Sequence, residues 1–292
     1  MYFWIKRIKQ HQHMLHTRYF FISFLLLTFF FGIHVPMAVG QTGLSVSPPR
    51  SYFTVEAGKS ETKKLLISNP SKTHTLELSV SLGDWEYDSL GNNVMKDAGT
   101  LKTSSADWIE VLPQSFFSIA PGTSHEIEVK MTVPDTLSDE VPVHTTMLYV
   151  TQINPVDGLN EQGANIRVAI QSGVKLFHRK PITRKAELDI QDFRYEKEKG
   201  EHLKLYFENK GNVWIDGTIS CELLNQNTGE KIRMKDAVFY SMPGDQRVVY
   251  LKLPEERLAS GKYMATALIE HEHAASLQMA ELIFNYEKSD SL

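Results

Sequence analysis

Asn165-Ile166-Arg167-Val168-Ala169-Ile170-Gln171-Ser172-Gly173-Val174-Lys175-Leu176-Phe177-His178-Arg179 is the stretch that decides the fold. Its first half alternates apolar with polar or small residues. That is the pattern of an extended strand, because successive side chains of a strand point to opposite sides. Ile166, Val168 and Ile170 fall on one face, and the row leads to a lysine, Lys175. A line of aliphatic side chains ending at a cation suits the docking of a foreign strand that ends in a carboxylate. The same residues also fit the inward face of an ordinary last strand, with Lys175 a solvated charge beside a linker.

The texture on either side is the same. Short runs rich in Val, Ile, Leu, Thr and Tyr are separated by Gly, Pro, Asn and Asp, and no long stripe of period 3.6 interrupts them. The fold class expected is therefore all-β. Strands are expected near 44–55, 61–69, 74–86, 107–112, 124–133, 143–154 and 164–178, with Leu76-Glu77-Leu78-Ser79-Val80-Ser81-Leu82 alternating as a sheet with one wet face requires. Asn69-Pro70-Ser71, Leu90-Gly91-Asn92 and Ala120-Pro121-Gly122 supply the turns. Strands at this spacing predict an immunoglobulin-like β-sandwich over 41–180. Arg179-Lys180-Pro181 breaks the pattern as a linker. A second immunoglobulin-like sandwich is expected over 181–287, from strands near 186–195, 202–208, 213–224, 230–239, 246–253, 261–271 and 277–286, followed by a disordered tail, 288–292.

Residues 1–40 stand apart from this pattern. A basic patch (Lys6, Arg7, Lys9, Arg18) precedes an apolar run from Tyr19 to Ile33 and then the small residues Ala38-Val39-Gly40. The succession predicts a signal peptide cleaved near Gly40 and Gln41, and hence a periplasmic protein; an uncleaved segment tethering the chain to the inner membrane is the alternative. Removing its four basic residues leaves 27 basic against 35 acidic residues, net −8. An acidic chain without a basic stripe is a poor candidate for nucleic acid. With one cysteine, Cys221, it must hold itself together by core burial alone.

Catalytic chemistry is hard to find. No phosphate loop, nucleophile elbow, CxxC, HExxH or calcium-loop spacing is present. His271 and His273 share a strand face but have no third ligand nearby in sequence, so they read as a solvated strand end and no metal is expected. Asp139-Glu140 and Glu255-Glu256 read as solubilising charge, and Cys221 as a buried small hydrophobe. Trp85, Trp108 and Trp214 are assigned to core before sugar platform. The expectation is a protein with no enzymatic activity, no cofactor and no small-molecule substrate.

The run 165–179 resembles the last strand of the first domain in periplasmic pilus-assembly chaperones of the PapD type, where alternating aliphatics precede a lysine, then Leu-Phe, an aromatic or His, and Arg. Further likenesses follow in the family's order over about 44–180: Ile67-Ser68-Asn69, Trp108-Ile109 with Leu112-Pro113, Ile119-Ala120-Pro121-Gly122, and Met147-Leu148-Tyr149-Val150 with Asn154-Pro155. The resemblance implies a chaperone that lends a strand to pilus or fimbrial subunits. It grips their C-terminal carboxylate with an arginine and a lysine in the cleft between two sandwiches. Ile166, Val168 and Ile170 would then contact the client strand, and Lys175 would anchor the carboxylate. The place of the family's arginine reads Tyr52-Phe53-Thr54, and Arg50 is the nearest substitute. The resemblance leaves open whether an outer-membrane usher takes part. An exported structural or adhesion module of the cell envelope is the alternative function.

Overall fold

Pro48 and Pro49 decide how the chain enters the fold. Neither has an N–H to give to a ladder, so the strand expected over 44–55 is divided into β1 (Ser45–Ser47) and β2 (Arg50–Thr54). The computed structural model describes residues 43–159, 162–197, 200–272 and 277–288. They belong to one unit, Gly43–Leu292. The signal-peptide region expected over 1–40 lies outside the described residues, as do His273 and residues 289–292 of the expected tail. Lys288 is held, its backbone N–H donating to Ser260 Oγ at 2.9 Å.

The first sandwich continues with β3 (Ser60–Ser68), β4 (Leu76–Tyr87), β5 (Asn93–Asp97), β6 (Ile109–Leu112), β7 (Phe116–Ile119), β8 (Ser124–Thr132), β9 (Val143–Gln152), β10 (Val156–Leu159), β11 (Asn165–Val168) and β12 (Gln171–Arg179). One sheet has the order β1-β3-β8-β6; the facing sheet has the order β2-β12-β9-β4-β5, with β7 also on β4. Alternate residues of each strand meet between the sheets: Leu65 and Ile67, Ile127 and Val129, Leu76 and Leu78, Leu148 and Val150, Val174 and Leu176 form one buried cluster. Each such side chain contributes about 1.5–3 kcal/mol by leaving water. Asp84, also buried, accepts hydrogen bonds from the Thr100 and Leu101 backbone N–H groups and the Ser104 hydroxyl, which satisfies a carboxylate that would otherwise be costly to bury. The strand expected over 107–112 opens as a 3-10 turn over Ala106–Trp108 before β6.

The strand expected over 164–178 is not one strand. β12 pairs with β9, Gln171 opposite Thr151, whereas β11 pairs with β10, Val168 opposite Val156, in a separate two-stranded sheet. The chain thus advances five residues on one side for three on the other. The extra residues include Pro155, which has no N–H to donate, and Asn154, whose side chain accepts from Glu77 N–H and donates to the Thr75 carbonyl. That clamp turns the chain out of the sheet before the ribbon resumes.

The second sandwich comprises β13 (Leu188–Glu196), β14 (His202–Asn209), β15 (Ile215–Asn225), β16 (Lys231–Arg233), β17 (Ala237–Ser241), β18 (Gln246–Lys252), β19 (Gly261–His271) and β20 (Gln278–Tyr286). Its sheets are β13-β14-β18 and β16-β15-β19-β20, with β17 also on β15. The strand expected over 230–239 is two, β16 and β17, each paired with a different part of β15. Phe207, Ile219, Cys221, Leu223, Phe239, Ala265 and Ile269 belong to its core. Burial pushes the Cys221 thiol up to about 12, so it is inert there. Asn209 and Asn225 each turn a loop back by accepting from backbone N–H groups two or three residues on.

Candidate binding cleft

The site is built on the outer face of the sheet β2-β12-β9-β4-β5. Val174 and Leu176 of β12 point into the sandwich core, so Lys175 and Phe177, of opposite parity, point out. On that outer face Trp85, Met147 and Phe177 form a third buried cluster, with Tyr87, Tyr149, Trp214 and Met242 packed against it. Trp214 and Met242 come from the second sandwich, so this cluster joins the two.

Lys175 lies over aromatic rings, its Nζ 3.7 Å from the Trp85 centroid and 4.3 Å from that of Tyr87. The ammonium donates to Tyr87 Oη at 2.9 Å and Asn93 Oδ1 at 2.6 Å. Both acceptors are neutral. Among the described residues no carboxylate forms an ion pair with it. Burial pushes the lysine down to about 8, and the charge of Arg50 pushes in the same direction, with Asp216 opposing. Burial likewise raises the Tyr87 phenol to about 12, so Tyr87 is uncharged at neutral pH.

Arg50 is the direct register partner of Lys175 in the parallel ladder of β2 and β12. Its guanidinium pairs with Asp216 of β15 at 2.7 Å and sits 4.6 Å from the Tyr240 ring centroid. Both Arg50 and Lys175 line an open cleft of about 450 Å³, together with Tyr87, Met147, Tyr149 and Tyr240. A stack of Tyr52 on Phe177 and Trp214, at 5.0 and 4.9 Å, braces the adjoining wall. The cleft therefore holds two cations against one carboxylate, between aromatic walls. Such a place favours an incoming anion.

The row of aliphatics lies further along the same strand edge. β2 pairs with β12 only over Lys175–Arg179, and β11 is paired on one side by β10. Among the described residues no strand takes the other edge of Asn165–Val174. Ile166 and Val168 are 39% and 49% exposed, so neither is core; Ile170 is partly buried, its carbonyl accepting from Gln152 N–H at 2.8 Å. The expected inward-facing alternative is thereby corrected for Ile166 and Val168: β11 has left the sandwich and has no core to face.

Several contributors to this cleft escaped the sequence. Tyr87 and Asn93 approach from β4 and β5, and Asp216 and Tyr240 from the second sandwich, with no local signal linking them to Lys175. Trp85 and Tyr87, two residues apart on one strand face, were a partial signal. Of the three tryptophans assigned to core, Trp85 and Trp214 pack between the sandwiches and Trp108 against the first core. Asp139 pairs with Lys180. Glu255 and Glu256 start a 3-10 turn. Among the described residues no group of three possible metal ligands occurs.

No protein-family profile matches the chain. No curated protein matches it either. Among solved structures it is similar to a chain of the chaperone-tip adhesin complex of CFA/I fimbriae biogenesis, at 12% identity over 85% of this chain and 100% of that one, TM-score 0.46. It is similar to the class 5 fimbriae chaperone CfaA, at 13% identity over 83% and 98%, TM-score 0.45. A third similar structure is the CsuC-CsuE chaperone-tip adhesion subunit pre-assembly complex of Acinetobacter baumannii, at 14% over 82% and 97%, TM-score 0.44. The sheet order makes the chain an all-β protein of two immunoglobulin-like sandwiches.

Proposed function

We propose that this protein is a periplasmic chaperone-like binding protein. It pairs its free edge over Asn165–Val174 with a strand of an exported, pilus-type subunit and holds that subunit's C-terminal carboxylate between Lys175 and Arg50. The observation that carries the reading is the state of Lys175: a partly buried ammonium with only neutral acceptors, beside Arg50, where an unpaired strand edge ends. A carboxylate there would relieve the repulsion between the two cations and restore the lysine's ordinary basicity. Main-chain bonds along the edge would supply affinity, and Ile166 and Val168 would enter grooves of the client. The groups in the cleft bind and orient; the reading assigns them no bond-making step. Export rests on the basic, apolar and small-residue succession of residues 1–40, and N-terminal sequencing of the secreted form should begin near Gln41.

The test uses peptides that carry an alternating aliphatic strand and end either in a free carboxylate or in an amide. The free acid should bind and the amide should bind far more weakly. Lys175→Ala should cost the free acid about 2–5 kcal/mol, the usual effect of deleting one partner of a desolvated charged contact. Equal binding of acid and amide would remove the carboxylate anchor.

A further inference from the structure

One cluster of titratable groups takes no part in the cleft. His144 of β9 and His178 of β12 are direct cross-strand partners, and their rings are 6% and 0% exposed. The Nε2 of His178 lies 2.9 Å from the Val55 carbonyl oxygen. A carbonyl can only accept, so this nitrogen carries the proton. The Nδ1 atoms of His178 and His144 are both buried without a hydrogen-bond partner. A bare ring nitrogen tolerates that position far better than an N–H⁺ with nothing to receive it. The Trp108 ring closes over the pair, with centroids 4.5 Å from His144 and 5.3 Å from His178.

Among the described residues, the charged groups that act on the pair include no carboxylate. From β12 and the linker, the groups that act on the pair are Arg179 and Lys180, both cations, and His178 acts on His144 across β12 and β9. From the segment after β2 comes the neutral Val55 carbonyl. From the 3-10 turn comes Trp108, whose neighbour Asp107 is exposed. Asp139, in the loop before β9, is paired with Lys180 at 2.6 Å. Burial first, then the neighbouring His178 and Lys180, push His144 down to about 4; burial also pushes His178 down, against the bond to Val55.

Val55 directly follows β2. The His178 bond to its carbonyl closes the far end of the parallel ladder of Arg50–Thr54 with Lys175–Arg179, and Arg50 stands at the near end. We infer that His144 and His178 form an acid-sensitive latch: neutral, they fasten β2 to β12 and keep Arg50 in register with Lys175; protonated, they leave the Trp108 pocket and release β2. The latch does not depend on what the cleft binds. An unfolded chain takes up these protons near pH 6.5 and the native one at lower pH, His144 near 4. Stability from the neutral pair is therefore full above about pH 6.5 and falls as the pH drops toward 4.

Imidazole C–H resonances followed from pH 8 to 4 in the full chain test this directly, together with thermal unfolding over the same range. His144 should titrate near 4 and His178 below the ordinary imidazole value. Amides of Ser51–Thr54 should lose exchange protection on acidification before those of β4 and β9. His144→Phe, which keeps an aromatic ring against Trp108, and His178→Gln, which keeps a donor for Val55, should each flatten the fall in melting temperature between pH 6.5 and 4. Ordinary titration near 6.5 in the folded protein would overturn the latch, as would an unchanged acid slope in both variants or simultaneous loss of protection across the sandwich. The wild-type titration decides the matter if a variant does not fold.

Discussion

Asn165–Ile170 and Gln171–Arg179 are consecutive pieces of one run and end in opposite circumstances. In the second piece Val174, Leu176, Phe177 and His178 are buried, and the backbone is paired with β9 throughout and with β2 over its last five residues. In the first, Ile166 and Val168 are exposed, and the backbone is paired on one side by β10. Alternation in sequence marks both as strand. Whether the apolar face meets the chain's own core or stays open depends on what the neighbouring strand does, and here Asn154 and Pro155 take β9 out of the sheet where β11 would need it. The spare face and edge that result are what a client strand could use, and Lys175 stands at the junction of the two pieces.

The largest effect should come from the buried piece. Val174→Asp places an unpaired carboxylate in the first core, where Val174 has 0% exposure, and should cost several kcal/mol, enough to unfold the sandwich in urea or on modest heating. A next, intermediate effect concerns the junction. Because Lys175 is pushed down to about 8, the free cleft loses this charge as the pH rises through that value. A bound carboxylate favours the protonated form, so affinity for an acid-terminated peptide should be level below pH 8 and fall on the order of tenfold per pH unit above it. Lys175→Arg should remove that dependence, since a guanidinium stays charged. Titration calorimetry from pH 7 to 10 reads both results. The smallest effect belongs to the open piece: Val168→Asp should change unfolding stability by no more than about 0.5 kcal/mol, as for a surface site, yet should weaken client binding. Unfolding by Val168→Asp would mean that β11 packs on its own domain after all.

The all-β class and most strands of both sandwiches were legible because Gly, Pro and Asn punctuate runs of period two. The splits were harder to see. Pro48-Pro49 signalled a break between β1 and β2, but not that the two halves join different sheets. Ala169 and Ile170 carry no breaker residue; the interruption there is imposed from the other side of the ribbon by Asn154-Pro155. Parity did hold usable information. Ile170 and Lys175 are five residues apart, so in a continuous strand the lysine would project opposite to the aliphatic row, a parity that the reading of one row ending at a cation left unused. Arg50 was a displaced substitute in sequence, and only the ladder of β2 with β12 makes it the partner of Lys175. Asp216 lies 166 residues from Arg50, and no local pattern could have joined them.

Amide exchange of the full chain with and without a carboxylate-terminated strand peptide addresses the central claim most directly. Protection should rise at those backbone N–H groups of Asn165–Val174 that point away from β9 and β10 and so face no strand among the described residues, and should rise much less when the same peptide ends in an amide. Protection appearing on another edge, or equally for acid and amide, would contradict the account.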